Sequence, residues 1–279
     1  MTTTTFGADL AETRYAEDRR GRFAYRRLGP PSAVPLVMAT RFRGTIDHWD
    51  PALLDVLGSQ RDVIVFDNRG TAASSGAPPD TIEDLAEGLL EFIDALGLTQ
   101  VDLLGWSMGG YVVQVAALNR PELVRRLVVA GSGPGRVSGM PAQPAKVGQV
   151  AGHPVLDDDD FLYLFFPETG HGRRAGLASL RRLDARLSGS HVEVAPEAIA
   201  AQNAAIAAFG TGVWDRLGEL TLPVLVANGA HDVMIHAFAS YAMSQRLPNA
   251  KVILYSDAGH AFLFQHADDF AHEVLNFLR

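Results

Sequence analysis

The stretch Val101-Asp102-Leu103-Leu104-Gly105-Trp106-Ser107-Met108-Gly109-Gly110 decides how this chain is read. An apolar run suited to a strand enters Gly-x-Ser-x-Gly and leaves into helical sequence, 111–119, halted by Pro121. A serine on so sharp a strand-to-helix turn sits in strained backbone. Side chains two residues to either side would crowd it, so Gly105 and Gly109 keep the turn open. The pattern makes the Ser107 hydroxyl a candidate nucleophile and points the positive end of the following helix at it.

A serine needs a base to become nucleophilic, and the base needs an acid to orient it. On this kind of turn the chain order is Ser, then Asp or Glu, then His, each on a loop at the C-terminal end of a strand. Apolar residues 224–227 are followed by Asn228-Gly229-Ala230-His231-Asp232, and residues 252–255 by Ser256-Asp257-Ala258-Gly259-His260. Asp232 and His260 are therefore the candidate acid and base. Among the competitors, His231 reads as a loop histidine, Asp257 would have to reach back along its own loop, and His266 falls near the last helix. His171 is a candidate for lining a pocket. There is no His-x-x-x-His or comparable pair, so no metal site is expected.

Outward from the elbow, short apolar runs alternate with helical patterns. The strand candidates are residues 36–39, 63–66, 101–104, 127–130, 224–227 and 252–255, after an opening hairpin centred on Arg20-Gly21. Continuous apolar runs suit strands buried on both faces of a parallel sheet. Asp80-Thr81-Ile82-Glu83 reads as a capping box with Asp80 at the N-cap, and Gly97 ends the helix that follows. Phe270, Val274 and Phe277 share one face of the last helix and read as core. The fold class expected is α/β, a mostly parallel, doubly wound sheet. The rhythm breaks between about Pro134 and Leu217, where Ala-rich helical sequence, an acidic run (157–160) and the aromatics Phe161, Tyr163, Phe165 and Phe166 replace strand patterns. This reads as a helical insertion over the ligand-binding edge of the sheet. The acidic run reads as a solvated helix start. The domain organisation expected is 1–134 and 218–279 as core, with 135–217 as insertion.

With 279 residues the chain can bury a substantial core. Its net charge of −8 argues against general nucleic-acid binding. It has no cysteine, hence no disulfide framework, thiolate metal site or cysteine nucleophile. Residues 1–20 are polar and unlike a secretory leader, and no apolar run approaches a membrane span, so the cytoplasm is the expected location.

Gly105-Trp106-Ser107-Met108-Gly109-Gly110, Asn228-Gly229-Ala230-His231-Asp232 and Gly259-His260 together resemble the α/β-hydrolase fold superfamily over essentially the whole chain. Phe66-Asp67-Asn68-Arg69-Gly70 with Ser74-Ser75-Gly76 is similar to that family's D-x-R-G-x-G-x-S loop. The resemblance, to the serine-nucleophile, haloperoxidase/esterase-like branch, implies that 135–217 is a cap and that no cofactor is required. It also sets an expectation for the oxyanion hole, whose backbone N–H groups would come from Phe42 and Met108. Here the chain departs from the usual His-Gly pair, carrying Thr40-Arg41 instead. Arg41 and Arg43 are candidates for an anionic substrate or for pairing with Asp47 or Asp50. Trp106, Phe161 and Phe165 are further candidates for a substrate pocket.

The leading expectation is a serine hydrolase cleaving an ester, lactone or related acyl bond of a small molecule. Cofactor-free haloperoxidase or perhydrolase chemistry, C–C bond hydrolysis, lyase chemistry and a slow-turnover small-molecule receptor stay open, as do the monomer and the homodimer. Relatives that cleave haloalkanes or epoxides place Asp at the elbow and are disfavoured.

Overall fold

Strand periodicity explains the two-sided core. The structure, a computed structural model, describes residues 7–190 and 192–279. In β3 (Leu36–Ala39), Leu36 and Met38 pack on one face of the sheet while Val37 and Ala39 pack on the other. β4 (Val63–Phe66) and β5 (Val101–Trp106) are likewise buried throughout. A hairpin, β1 (Arg14–Asp18) and β2 (Gly21–Leu28), precedes them, and β6 (Val124–Ala130), β7 (Val224–Gly229) and β8 (Ala250–Tyr255) follow. The eight strands lie in the order β1-β2-β4-β3-β5-β6-β7-β8. β2 is antiparallel to both its neighbours, and the pairs from β4 to β8 are all parallel.

This order places the loops after β3 and β5 side by side. From β3 the chain steps outward to β4, then returns past β3 to β5, so their C-terminal loops part in opposite directions and leave a crevice. α1 (Pro51–Gly58) and α10 (Ala267–Phe277) cover one face. α2 (Ile82–Ala95) and α3 (Met108–Asn119) cover the other.

Two local readings need correction. Asp80 does not cap α2: Thr81 does, its hydroxyl accepting from the Asp84 N–H at 3.0 Å. Two cap patterns overlap with a one-residue offset, and the one that turns Ile82, Leu85, Leu89 and Ile93 into the core wins. β8 is not buried on both faces. It is the sheet's edge, and Leu254 is 47% exposed.

Every regular element described between β6 and β7 is helical: α4 (Ala145–Ala151), α5 (Asp158–Phe165), α6 (Gly170–Leu187), α7 (Pro196–Ala208) and the 3-10 turn Trp214–Glu219. The acidic run starts α5, with Asp157 as N-cap and Asp160 reaching back to it. Buried carboxylates of the core hold α6 in place. Asp50 accepts from Ser179 (2.7 Å) and from both arms of Arg182 (2.7 and 2.6 Å). Asp47 accepts from Arg186 (3.1 Å) and Ser190 (2.7 Å) and pairs with Arg26 (2.6 Å). α8 (Phe238–Ser244) and the short α9 (Phe262–Gln265) complete the core. Among the described residues no helix is long and apolar enough to cross a membrane, and no group of three His, Cys, Asp or Glu side chains could hold a metal ion.

Candidate active site

β5 runs into Ser107, the residue after its end, whose φ of +58° and ψ of −121° lie where L-residues are strained. Strain of this kind costs on the order of 1–3 kcal/mol and persists only where neighbours impose it. They do so here. The Ser107 N–H donates to Ala130 O (2.9 Å), and its carbonyl accepts from the Gly110 N–H (2.8 Å) and the Ser132 hydroxyl (2.7 Å). A Cβ at Gly105 would collide with the Gly109 carbonyl, and one at Gly109 with the carbonyls of Ala39 and Thr40.

The loops after β7 and β8 bring Asp232 and His260 together. His260 Nδ1 lies 2.7 Å from Asp232 Oδ2, both side chains being buried. Asp232 Oδ1 accepts from the N–H groups of Met234 (2.8 Å) and Ile235 (2.9 Å), which fixes the carboxylate. With Nδ1–H donating to a carboxylate, Nε2 carries the lone pair. That Nε2 is buried and has no hydrogen-bond partner among the described residues. His260 and Ser107 line the same cavity of about 20 Å³, room for one water-sized molecule. Trp106 Nε1 donates to His260 O (3.2 Å), tying the His260 loop to the strand that leads into Ser107.

Phe42 lines this cavity too, and its N–H donates to no other backbone carbonyl among the described residues. Met108 opens α3, so its N–H has no carbonyl a turn back within the helix. Phe165, Arg41 and Arg43 also line the cavity, together with Ala151, Leu156, Leu164 and Met234. The last four escaped the sequence reading. Met234 alone carried a signal, standing two residues past Asp232.

Several candidates fall elsewhere. Trp106 is fully buried beneath the site and does not face the cavity. Phe161 packs on Phe165 and Phe166 in the core. Large aromatics read alike in a pocket and in a core, which is why sequence could not separate them. His171 is exposed and lies 3.6 Å from Asp257, which also takes a 2.9 Å contact from His266. Neither Arg41 nor Arg43 pairs with Asp47 or Asp50, because α6 engages both carboxylates. Arg43 instead donates to the carbonyls of His153 (2.8 Å) and Pro154 (2.6 Å) between α4 and α5. Its own N–H, at φ +56°, is held by buried Gln202 (2.9 Å).

Burial shapes the titration around the site. It pushes the Asp67 carboxyl up to about 7 although Ile46 N–H and Ala73 N–H donate to it. Burial, with Arg41 nearby, pushes His48 down to about 3. Burial, then the charge of Arg43, lowers Arg41 to about 10, so it stays protonated at neutral pH. A larger groove of about 440 Å³, lined by Met140, Tyr163, His231 and Asp232, adjoins the site through Met234. It does not contain Ser107, which lines the smaller cavity.

A family model described as the alpha/beta hydrolase fold matches residues 35–267. The chain belongs to the α/β-hydrolase fold family. An α/β-hydrolase fold protein from Chitinophaga pinensis superposes with a TM-score of 0.90 at 35% identity, covering 97% of this chain and 98% of that one. A protein from Rhizobium rhizogenes that carries the name carbamate hydrolase RutD is 26% identical over 90% of this chain and 95% of its own length. A 2-hydroxy-6-oxononadienedioate/2-hydroxy-6-oxononatrienedioate hydrolase from Dechloromonas aromatica is 29% identical, over 69% of this chain and 67% of its own length.

Proposed function

We propose that this hydrolase of the α/β fold cleaves an ester, lactone or related acyl bond of a small molecule through Ser107, His260 and Asp232. The observation that carries the reading is the unpartnered Nε2 of His260, buried in one cavity with Ser107 and backed at Nδ1 by Asp232. In this mechanism Nε2 takes the Ser107 proton as the hydroxyl oxygen attacks the carbonyl. The N–H groups of Phe42 and Met108 receive the negative charge that develops on the carbonyl oxygen. The imidazolium, held by Asp232, returns the proton to the leaving group, and water then hydrolyses the acyl-enzyme by the same relay.

Residues 135–217 act as a cap that closes over the substrate. The small cavity around Ser107 supports this role, since four of its walls, Ala151, Leu156, Leu164 and Phe165, come from that segment. The C–C bond hydrolase reading draws on the Dechloromonas aromatica relative's name, and a carbamate substrate on that of the Rhizobium rhizogenes protein.

The test is a panel of para-nitrophenyl esters and lactones given to the enzyme and to Ser107→Ala, with mass spectrometry after a fluorophosphonate. One covalent label on Ser107 and a loss on the order of a thousandfold or more in the variant are expected. Full activity in the variant refutes the mechanism.

A further inference from the structure

Three arginines among the described residues are buried, and two of them meet carboxylates. Arg26 pairs with Asp47 at 2.6 Å, and Arg69 pairs with Glu91 at 2.7 Å and with Asp18. Arg41, 7% exposed, forms no ion pair among the described residues. Its Nη1 donates to the Phe42 carbonyl (2.8 Å), and its Nε has no hydrogen-bond partner. The guanidinium lies over the ring of Phe165 (5.0 Å) and beside that of Trp106 (5.7 Å), whose faces hold a cation without neutralising it.

Among the described residues the charge acting on Arg41 is that of Arg43, and the carboxylates of this region pair with other groups. Asp47 faces Arg26 and Arg186, Asp50 faces Arg182, and Asp232 faces His260. A buried cation without a partner is costly, and its side chain lines the small cavity shared by Ser107 and His260. A planar guanidinium is matched by a planar anion with two oxygens.

We propose that Arg41 is a carboxylate receptor within the active site, and that the substrate carries a carboxylate within a few bonds of the scissile carbonyl. This rests on the reading of Ser107 as nucleophile. The short reach follows from the size of the cavity that Arg41 and Ser107 share. Arg41 then sets specificity, while the neutral donors Phe42 and Met108 are left for the oxyanion.

Two measurements separate this inference from the reading beneath it. The first needs no turnover. Acetate, malonate and succinate are titrated calorimetrically into Ser107→Ala, into Ser107→Ala/Arg41→Met and into Ser107→Ala/Arg41→Lys. Methionine keeps an apolar chain against Phe165 and Trp106, so packing survives while the charge is lost. At least one carboxylate is expected to bind, thirtyfold or more weaker in the Met variant, with the Lys variant between. The second measurement compares kcat/KM for para-nitrophenyl hemisuccinate with that for its methyl ester, and for O-acetylglycolate with its methyl ester. The enzyme is expected to prefer the charged member of at least one pair, and Arg41→Met to collapse that preference. The inference is overturned if no carboxylate binds in an Arg41-dependent way, or if charged and neutral esters fall equally, which would assign Arg41 to the oxyanion itself. Arg41-dependent carboxylate binding with no Ser107-dependent hydrolysis would keep the receptor and reject the hydrolase mechanism.

Discussion

Asp232→Asn isolates the proton relay from the fold. Asparagine is the same size, and its Oδ1 can keep accepting from the N–H groups of Met234 and Ile235. What changes lies at Oδ2, which is 2.7 Å from His260 Nδ1. An amide NH2 there meets Nδ1 only if Nδ1 gives up its hydrogen, so the hydrogen moves to Nε2. Nε2 then cannot accept the Ser107 proton. The variant also loses the attraction between carboxylate and imidazolium. At about 4 Å between charge centres and an effective dielectric near 20, that is roughly 4 kcal/mol. The corresponding rate loss is about a thousandfold, and the wrong tautomer deepens it toward ten-thousandfold. The assay is kcat/KM on an ester that the unaltered enzyme turns over, with circular dichroism and thermal unfolding to show that the fold persists. A folded Asp232→Asn variant within tenfold of the parent would refute the reasoning, because no other carboxylate is within ion-pair distance of His260 among the described residues.

Two further outcomes follow from groups around the site. Burial holds Asp67 near 7 in the folded protein against about 4 in the unfolded chain, so between those values the folded state binds the extra proton and stability falls as pH rises. Thermal unfolding from pH 5 to 8 is expected to show a steeper decline in the parent than in Asp67→Asn, by up to about 2.6 kcal/mol over that range, roughly 1.36 kcal/mol for each of the two pH units between 5 and 7; parallel curves would exclude this role. Arg43→Ala removes the donors to the carbonyls of His153 and Pro154, so a bulky fluorophosphonate is expected to label Ser107 several-fold faster. Equal labelling rates would mean that this arginine does not restrain access.

The strained turn at Ser107 and the six parallel strands were legible because each depends on local pattern: β-branched runs, two small residues around a serine, and polar loops at strand ends. β4 shows this best, since four consecutive apolar residues admit little else. What stayed hidden depends on distance along the chain. That β8 is an edge is a property of its neighbours rather than of its own residues. Asp47 and Asp50 stand close in sequence to Arg41 and Arg43, yet their partners Arg186 and Arg182 lie more than 130 residues away on α6. Trp106 stands beside the nucleophile but turns beneath it, as a strand residue one position from its neighbour must.

The bond from the Trp106 indole to the His260 carbonyl has an engineering consequence. Ser107 and His260 hang from one stiff frame, and Asp232 is clamped to it by its own loop. The walls contributed by α4 and α5 share none of those hydrogen bonds except the one from the Ala261 N–H to Phe165 O. On the proposed mechanism, chemistry and admission are therefore separate modules. The segment from α4 to the start of α5 can be exchanged or randomised for new substrate shapes while Ser107, His260 and Asp232 stay in register, with Arg41 kept as the proposed carboxylate receptor.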